Sequence, residues 1–303
     1  MSFWLPVLLA FGVGFAMKYG GLCTYAAARQ WVRHQRFELL HAFLAAAAFS
    51  ALLLLPMAWL QPGGLRLAMT HDQWLTALSA GLVLGAGAWL NRGCVFGTFV
   101  QLTGGNLNYL ATLIGLAAGA SGARLLLMDW AAPARDPAPV LASLPLLGLA
   151  LLLALLLVLP LLWSGRRRRL PVALMLGAGG GWLFATVGGW DFAAVVRRTL
   201  YHGLGLEASG PSRLAVYCTL AMVAGGLLAA FFNSRFSLQT LRWKTLASCF
   251  GGGGLMGAAS VLLPGGNDSL VLAGLPVLAP HALIGYAAML VALVLLLVTV
   301  RRA

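Results

Sequence analysis

The sequence predicts an all-α, polytopic membrane protein of about nine transmembrane helices, with short re-entrant half-helices, arranged as two inverted repeats. Three observations carry this. Of 303 residues, 61% are apolar and 9% charged, far below the roughly 25% charged residues that cover a soluble domain. Apolar runs recur from end to end, several reaching the roughly 20 residues that cross about 30 Å of hydrocarbon as a helix. Two motifs of the first half also return in the second at nearly one offset.

The runs place nine spans near residues 2–17, 39–60, 74–90, 107–128, 139–163, 172–187, 213–232, 245–263 and 279–300. The first is expected to be retained, since no signal-peptidase pattern follows it. The formal charge of +13 does not point to nucleic acid, because the basic residues sit in short segments between spans. "RQWVRHQR" (29–36), "RRRR" (166–169), Arg235 with Arg242 and Lys244, and Arg301–Arg302 are examples. Alternating the loops puts most of them, Lys18 included, on one side. That asymmetry orients helices in a bilayer. It predicts a multi-pass membrane protein with its N-terminus outside and its C-terminus on the cytoplasmic side.

The repeat shows in two alignments. "YGGLCTYAAAR" (19–29) matches "VGGWDFAAVVR" (187–197), and "GLVLGAGAWLNRGC" (81–94) matches "GGLMGAASVLLPGG" (253–266). Each repeat holds four spans. The expected division is 1–138, a linking helix and basic loop over 139–170, and 171–303. Five spans separate equivalent positions, an odd number, so the second copy enters the membrane from the opposite face. Inverted repeats place a site where interrupted segments of both halves meet.

Four interruptions break the apolar pattern with glycine and polar residues, at 18–31, 91–106, 186–199 and 262–274. In each, a glycine-containing turn precedes a run that suits a half-helix. A helix starting inside the membrane exposes unpaired N–H groups and the positive end of its dipole, which favour an anion. Irregular backbone at that depth is tolerated where protein or a watery cavity surrounds it.

The candidate pathway residues follow from these breaks. Cys23 and Cys94 come just after Gly21 and Gly93 at the proposed half-helix starts. A thiol there is a weak donor and a polarizable surface, suited to a sulfur-containing anion. Cys218 and Cys249 lie mid-span and read as small core packers. Asn91, Asn106 and Asn267 either close half-helix ends or donate to a solute. Arg92 reads equally as a surface anchor or as an anion-attracting group. Asp191 stands where Cys23 stands in the other half; it is expected to cap the following helix or pair with Arg197 or Arg198, and is a candidate for a proton or charge role. His71, His202 and His281 fall near span ends, where a surface position is expected. The four cysteines show no C-x-x-C spacing, so neither a disulfide framework nor a metal site is expected. No cofactor motif, P-loop or nucleophile constellation is present, and no enzyme is expected.

With these motifs in place, the chain resembles the YeeE/YedE family of sulfur-compound transporters, whose characterised members take up thiosulfate. The resemblance rests on "YGGLCTYAAAR", "GLVLGAGAWLNRGCVFGT" and "GGGGLMGAASVLLPGGND". It implies an hourglass of nine crossing helices and shorter partial helices around a narrow route lined by cysteines. Cys23 and Cys94 match two of the family's pathway cysteines. The second-half cysteine common in the family is missing: Gly266 aligns with Cys94, and Asp191 with Cys23. The resemblance also implies a small cytoplasmic sulfur-carrier protein as partner. The expected function is import of a small sulfur-containing anion such as thiosulfate. The alternatives are a membrane sulfurtransferase or redox protein forming a cysteine persulfide, and a non-transporting anchor subunit.

Overall fold

The computed structural model describes residues 3–60, 69–70, 73–127, 135–137, 144–163, 169–188, 190–205, 209–234, 236–263 and 266–302. Arg166, Arg167, Arg168, Arg235, His71 and Gly265, which figured in the charge, histidine and repeat arguments, lie outside them. Among the described residues seven helices are long and apolar enough to cross a membrane, and two shorter apolar helices span Leu144–Pro160 and Leu170–Thr186. These nine correspond to the nine spans read from the sequence.

The order of elements repeats. The first half runs α1 (Trp4–Gly20), α2 (Thr24–His34), α3 (Glu38–Leu60), α4 (Trp74–Leu90), α5 (Val95–Leu102) and α6 (Leu110–Leu127). Here α2 and α5 are the short helices, of 11 and 8 residues. After α7 (Leu144–Trp163) the pattern returns. A span is built from α8 (Leu170–Leu174), a π turn and α9 (Gly180–Thr186), and the short α10 (Phe192–Gly203) follows. Next come α11 (Arg213–Phe232), α12 (Trp243–Leu262), the short α13 (Gly266–Ser269) running into a π turn over Leu270–Gly274, and α14 (Pro280–Arg302). Helices make the architecture; the extended pairing among the described residues is a short antiparallel ladder between β1 (Met69–Thr70) and β2 (Arg135–Pro137).

Packing obeys the same two-fold relation. The α1·α11 contact is mirrored by α3 on the α8–α9 span, α6·α12 by α14·α4, and α10·α6 by α2·α14. The α4·α12 contact pairs two equivalent helices with each other. α7 lies outside this symmetry, against α3.

Lipid tails give no hydrophobic drive between helices, so close backbone approach through small residues holds such a bundle together. A methyl group on Gly119 would come 1.9 Å from the Gly254 carbonyl oxygen, and one on Gly257 2.0 Å from that of Leu116. Gly14 on Met222 and Gly225 on Phe11 do the same for α1 and α11, at 1.9 and 2.0 Å. Large apolar side chains point outward instead, including Leu149, Leu152 and Leu156 of α7. Trp4, Trp74 and Trp243 stand exposed at helix starts, where amphipathic rings meet the membrane interface.

Gly119→Ala is expected to force α6 and α12 apart and to destabilise the protein by about 1–3 kcal/mol. Gly122→Ala has open space around it and should be neutral or stabilising, since alanine favours helix over glycine by about 1 kcal/mol. Thermal melting in detergent checks the pair: equal shifts for both would contradict the packing described.

Candidate functional site

All four interruptions are real breaks, and each turns on one residue with positive φ: Gly21 (61°), Arg92 (56°), Gly188 (69°) and Gly266 (70°). Gly21 closes α1 in the left-handed conformation that glycine adopts without strain. Its N–H bonds the Lys18 carbonyl at 3.3 Å and the Leu22 N–H bonds that of Met17 at 3.2 Å. At the α4 break the left-handed residue is Arg92, one position before Gly93. After each first-half break the cysteine is extended, Cys23 at φ −157° and Cys94 at φ −77°, and occupies the position immediately before the short helix.

That placement brings the four half-helix starts together. Cys23 Sγ and Cys94 Sγ lie 3.7 Å apart, with Cys94 fully buried and Cys23 6% exposed. The Thr24 N–H, the first of α2, donates to Cys94 Sγ at 3.3 Å. Thr24 Oγ1 in turn accepts from Asn267 Nδ2 at 3.4 Å, joining the first half to the start of α13. The Ala193 N–H of α10 donates to Asp268 Oδ2 at 3.3 Å. Four N-terminal ends from two repeats therefore converge on one buried cluster.

Neighbouring residues hold this geometry. Asn91, 1% exposed, donates through Nδ2 to the Gly93 carbonyl (2.7 Å) and to Thr98 Oγ1 (3.0 Å), and accepts from Thr112 Oγ1 (2.7 Å). It is a clamp across the α4–α5 break, and so is structural. Asn106 is structural as well, accepting from the N–H and Nδ2 of Asn108. Lys18, counted above with the surface charges, is instead buried; its Nζ donates to the Val100 carbonyl at 2.7 Å. A positive charge there faces the C-terminal, negative end of the α5 dipole and pins the helix that Cys94 begins. Arg92 is exposed and forms no part of the buried cluster.

Asp191 caps α10 as expected, its Oδ1 accepting from the Ala194 N–H at 2.5 Å. Arg197 does not pair with it: the guanidinium donates to Ser260 Oγ at 3.2 Å. The alignment of Gly266 with Cys94 needs correcting. By backbone, Gly266 corresponds to Arg92, because both carry the left-handed turn. The side chain that meets the opposing half-helix is Asp268, two residues later. Cys218 and Cys249 are buried in α11 and α12. His202 is exposed, while His281, expected at the surface, is 4% exposed.

Three further residues, which no local sequence pattern marks, shape the cluster. Gly97 leaves room for a thiol, since a methyl group there would fall 2.4 Å from Cys23 Sγ. Tyr286 of α14 lies beside Thr24, within electrostatic range of both thiols; its hydroxyl is buried without a hydrogen-bond partner. Asp268 is 2% exposed, and its Oδ1 has no partner.

The nine apolar helices among the described residues, the two inverted repeats and the half-helices meeting in the interior define a membrane transporter of the inverted-repeat kind. The family described as sulphur transport matches the chain twice, over residues 19–174 and 169–295. The chain belongs to this family, that of YeeE/YedE, and is a sulfur-compound transporter. Among curated proteins no relative matches it.

The sulfur–sulfur approach makes a specific prediction. Mild oxidation should join Cys23 to Cys94 while Cys218 and Cys249 stay free thiols, as read by peptide mass mapping. Gly97→Ala should slow that cross-link by displacing Cys23. Cross-linking that ignores the alanine, or involves the other cysteines, would refute the arrangement.

Proposed function

We propose that the protein imports a small divalent sulfur oxyanion of the thiosulfate type, with Cys23 and Cys94 as its direct contacts. The observation that carries this is the paired thiols, 3.7 Å apart, where half-helix starts from both repeats converge. In this reading Gly21 and Gly93 belong to the breaks that set the thiols, and Asn91 fixes the α4–α5 turn. Gly266 and Asn267 form the second-half wall, Arg92 lies toward the mouth, and Asp191 supplies charge.

The chemistry suits passage rather than storage. A neutral thiol donates weakly, and a hydrogen bond is worth about 1 kcal/mol net, so each contact holds the anion without trapping it. The dipole ends of α2 and α5 offset the anion's charge with no cation needed at the thiols. The Tyr286 hydroxyl supplies a donor in search of an acceptor. A buried unpaired donor costs about 1–3 kcal/mol, which an anion oxygen would recover. Both thiols are buried, so the half-helices must part for the anion to reach them. In this reading the membrane is the bacterial inner membrane, with the N-terminus periplasmic and the C-terminus cytoplasmic. A small cytoplasmic sulfur-carrier protein receives the solute.

Liposomes containing the purified protein test this with a panel of sulfur oxyanions. Thiosulfate flux is expected, with Cys94→Ala reducing it at unchanged protein level. Tyr286→Phe should weaken apparent affinity by roughly 3- to 10-fold, the size of one lost hydrogen bond. Wild-type flux in Cys94→Ala would remove the thiol from the route. Intact mass should stay unchanged after turnover; a persulfide adduct would favour a sulfurtransferase instead.

A further inference from the structure

The two-fold relation pairs the thiol cluster with a second cluster of different chemistry. In the first half, two thiols face each other and the Thr24 N–H of α2 donates to Cys94. In the second half, the Ala193 N–H of α10 donates to Asp268 Oδ2 and the next N–H, that of Ala194, to Asp191 Oδ1. Asp191 occupies the position before α10 that Cys23 occupies before α2. Asp268 meets the opposing half-helix as Cys94 does. Where one half carries a dithiol, the other carries a dicarboxyl.

Both carboxyls are buried, at 5% and 2% exposure. Among the described residues neither forms an ion pair, and Asp268 Oδ1 has no hydrogen-bond partner. The titratable and charged groups bearing on the pair are each other and Arg197 of α10, whose guanidinium donates to Ser260 on α12. Backbone N–H groups stabilise negative charge here, but two full charges so close in an apolar interior repel strongly. A proton placed on one carboxyl removes that repulsion and gives the orphaned oxygen a role, as donor or as acceptor.

We infer that Asp191 and Asp268 form a proton-binding site that takes up one proton with each anion and releases it on the far side, making transport proton-coupled. The inference rests on the reading of the thiols as the anion's contact. The link between the two clusters is short: Asn267 bonds Thr24, next to Cys23, and directly precedes Asp268. An anion at the thiols repels the negative charge of the pair and so favours its protonation. Linkage is reciprocal, so the protonated pair also favours the anion. The proton comes from bulk water on one side and returns to bulk water on the other, leaving the carboxyls unchanged.

Proteoliposomes with a trapped pH dye, the membrane potential clamped at zero, test this with thiosulfate. Wild-type protein should acidify the lumen as the anion enters. Steady-state accumulation should rise about tenfold per unit of imposed pH difference for one proton per anion. In Asp191→Asn and Asp268→Asn that dependence should vanish. Infrared spectroscopy reads the site without transport: a protonated-carboxyl C=O band at neutral pH should be present in wild type and lost in Asp268→Asn. Thiosulfate flux indifferent to the pH difference overturns the proton site and leaves the transport reading intact. So does flux that follows sodium instead, or a wild-type protein without the band. No flux of any sulfur oxyanion in wild type removes the transport reading, and the proton site with it.

Discussion

Everything in this protein depends on how it satisfies broken backbone away from water. A helix that stops inside an apolar environment strands carbonyls at one end and N–H groups at the other, and neither tolerates lipid. Here each break is closed by a left-handed residue. The exposed N–H groups of one half-helix then find acceptors at the start of another, Cys94 for α2 and Asp268 for α10, while Asp191 caps the next N–H of α10 from within its own break. The breaks are stable because they meet. Their meeting point is also where polar chemistry is available inside an otherwise apolar bundle.

The repeat supplies that meeting point twice, and the sequence has used the two copies differently. A symmetric pair of thiol clusters would offer a uniform soft surface. Where the first half brings Cys23 and Cys94 together, the second brings Asp191 and Asp268 to the start of α10, so one meeting point carries thiols and the other carboxyls. The two are tied by Asn267 to Thr24, residues separated by 243 positions in the chain. Lys18, Asn91 and Gly97 serve this arrangement indirectly: the first two fix α5 at its two ends, and the third leaves space for the Cys23 sulfur.

Much of the architecture was legible because it is written in period and composition. Span length, glycine breaks and the offset between motifs are local signals, and they gave nine spans, two copies and four half-helices. Cys23 and Cys94 were legible because polar and glycine residues framed them. Asp191 was readable as a cap because the following helix is evident. Other features depend on contacts that no local pattern records. Asp268 follows the left-handed Gly266 by two residues, as Cys94 follows Arg92, but Gly266 stands four residues past the end of α12 where Arg92 stands two past the end of α4, so a fixed offset from the helices selected Gly266. Tyr286 sits in an apolar span and looks like any core aromatic until α14 is seen against α2. Lys18 resembles an interfacial anchor until α5 closes over it, and His281 resembles a surface residue although the start of α14 is buried there.

The account stands or falls on whether the travelling anion touches the two sulfurs where the half-helices converge. An experimental structure determined with a selenium-substituted analogue of thiosulfate would read this through the anomalous signal of selenium. The account predicts a peak in contact with both Cys23 Sγ and Cys94 Sγ, with the Tyr286 hydroxyl turned toward it. A peak held elsewhere in the protein, away from both sulfurs, would contradict it.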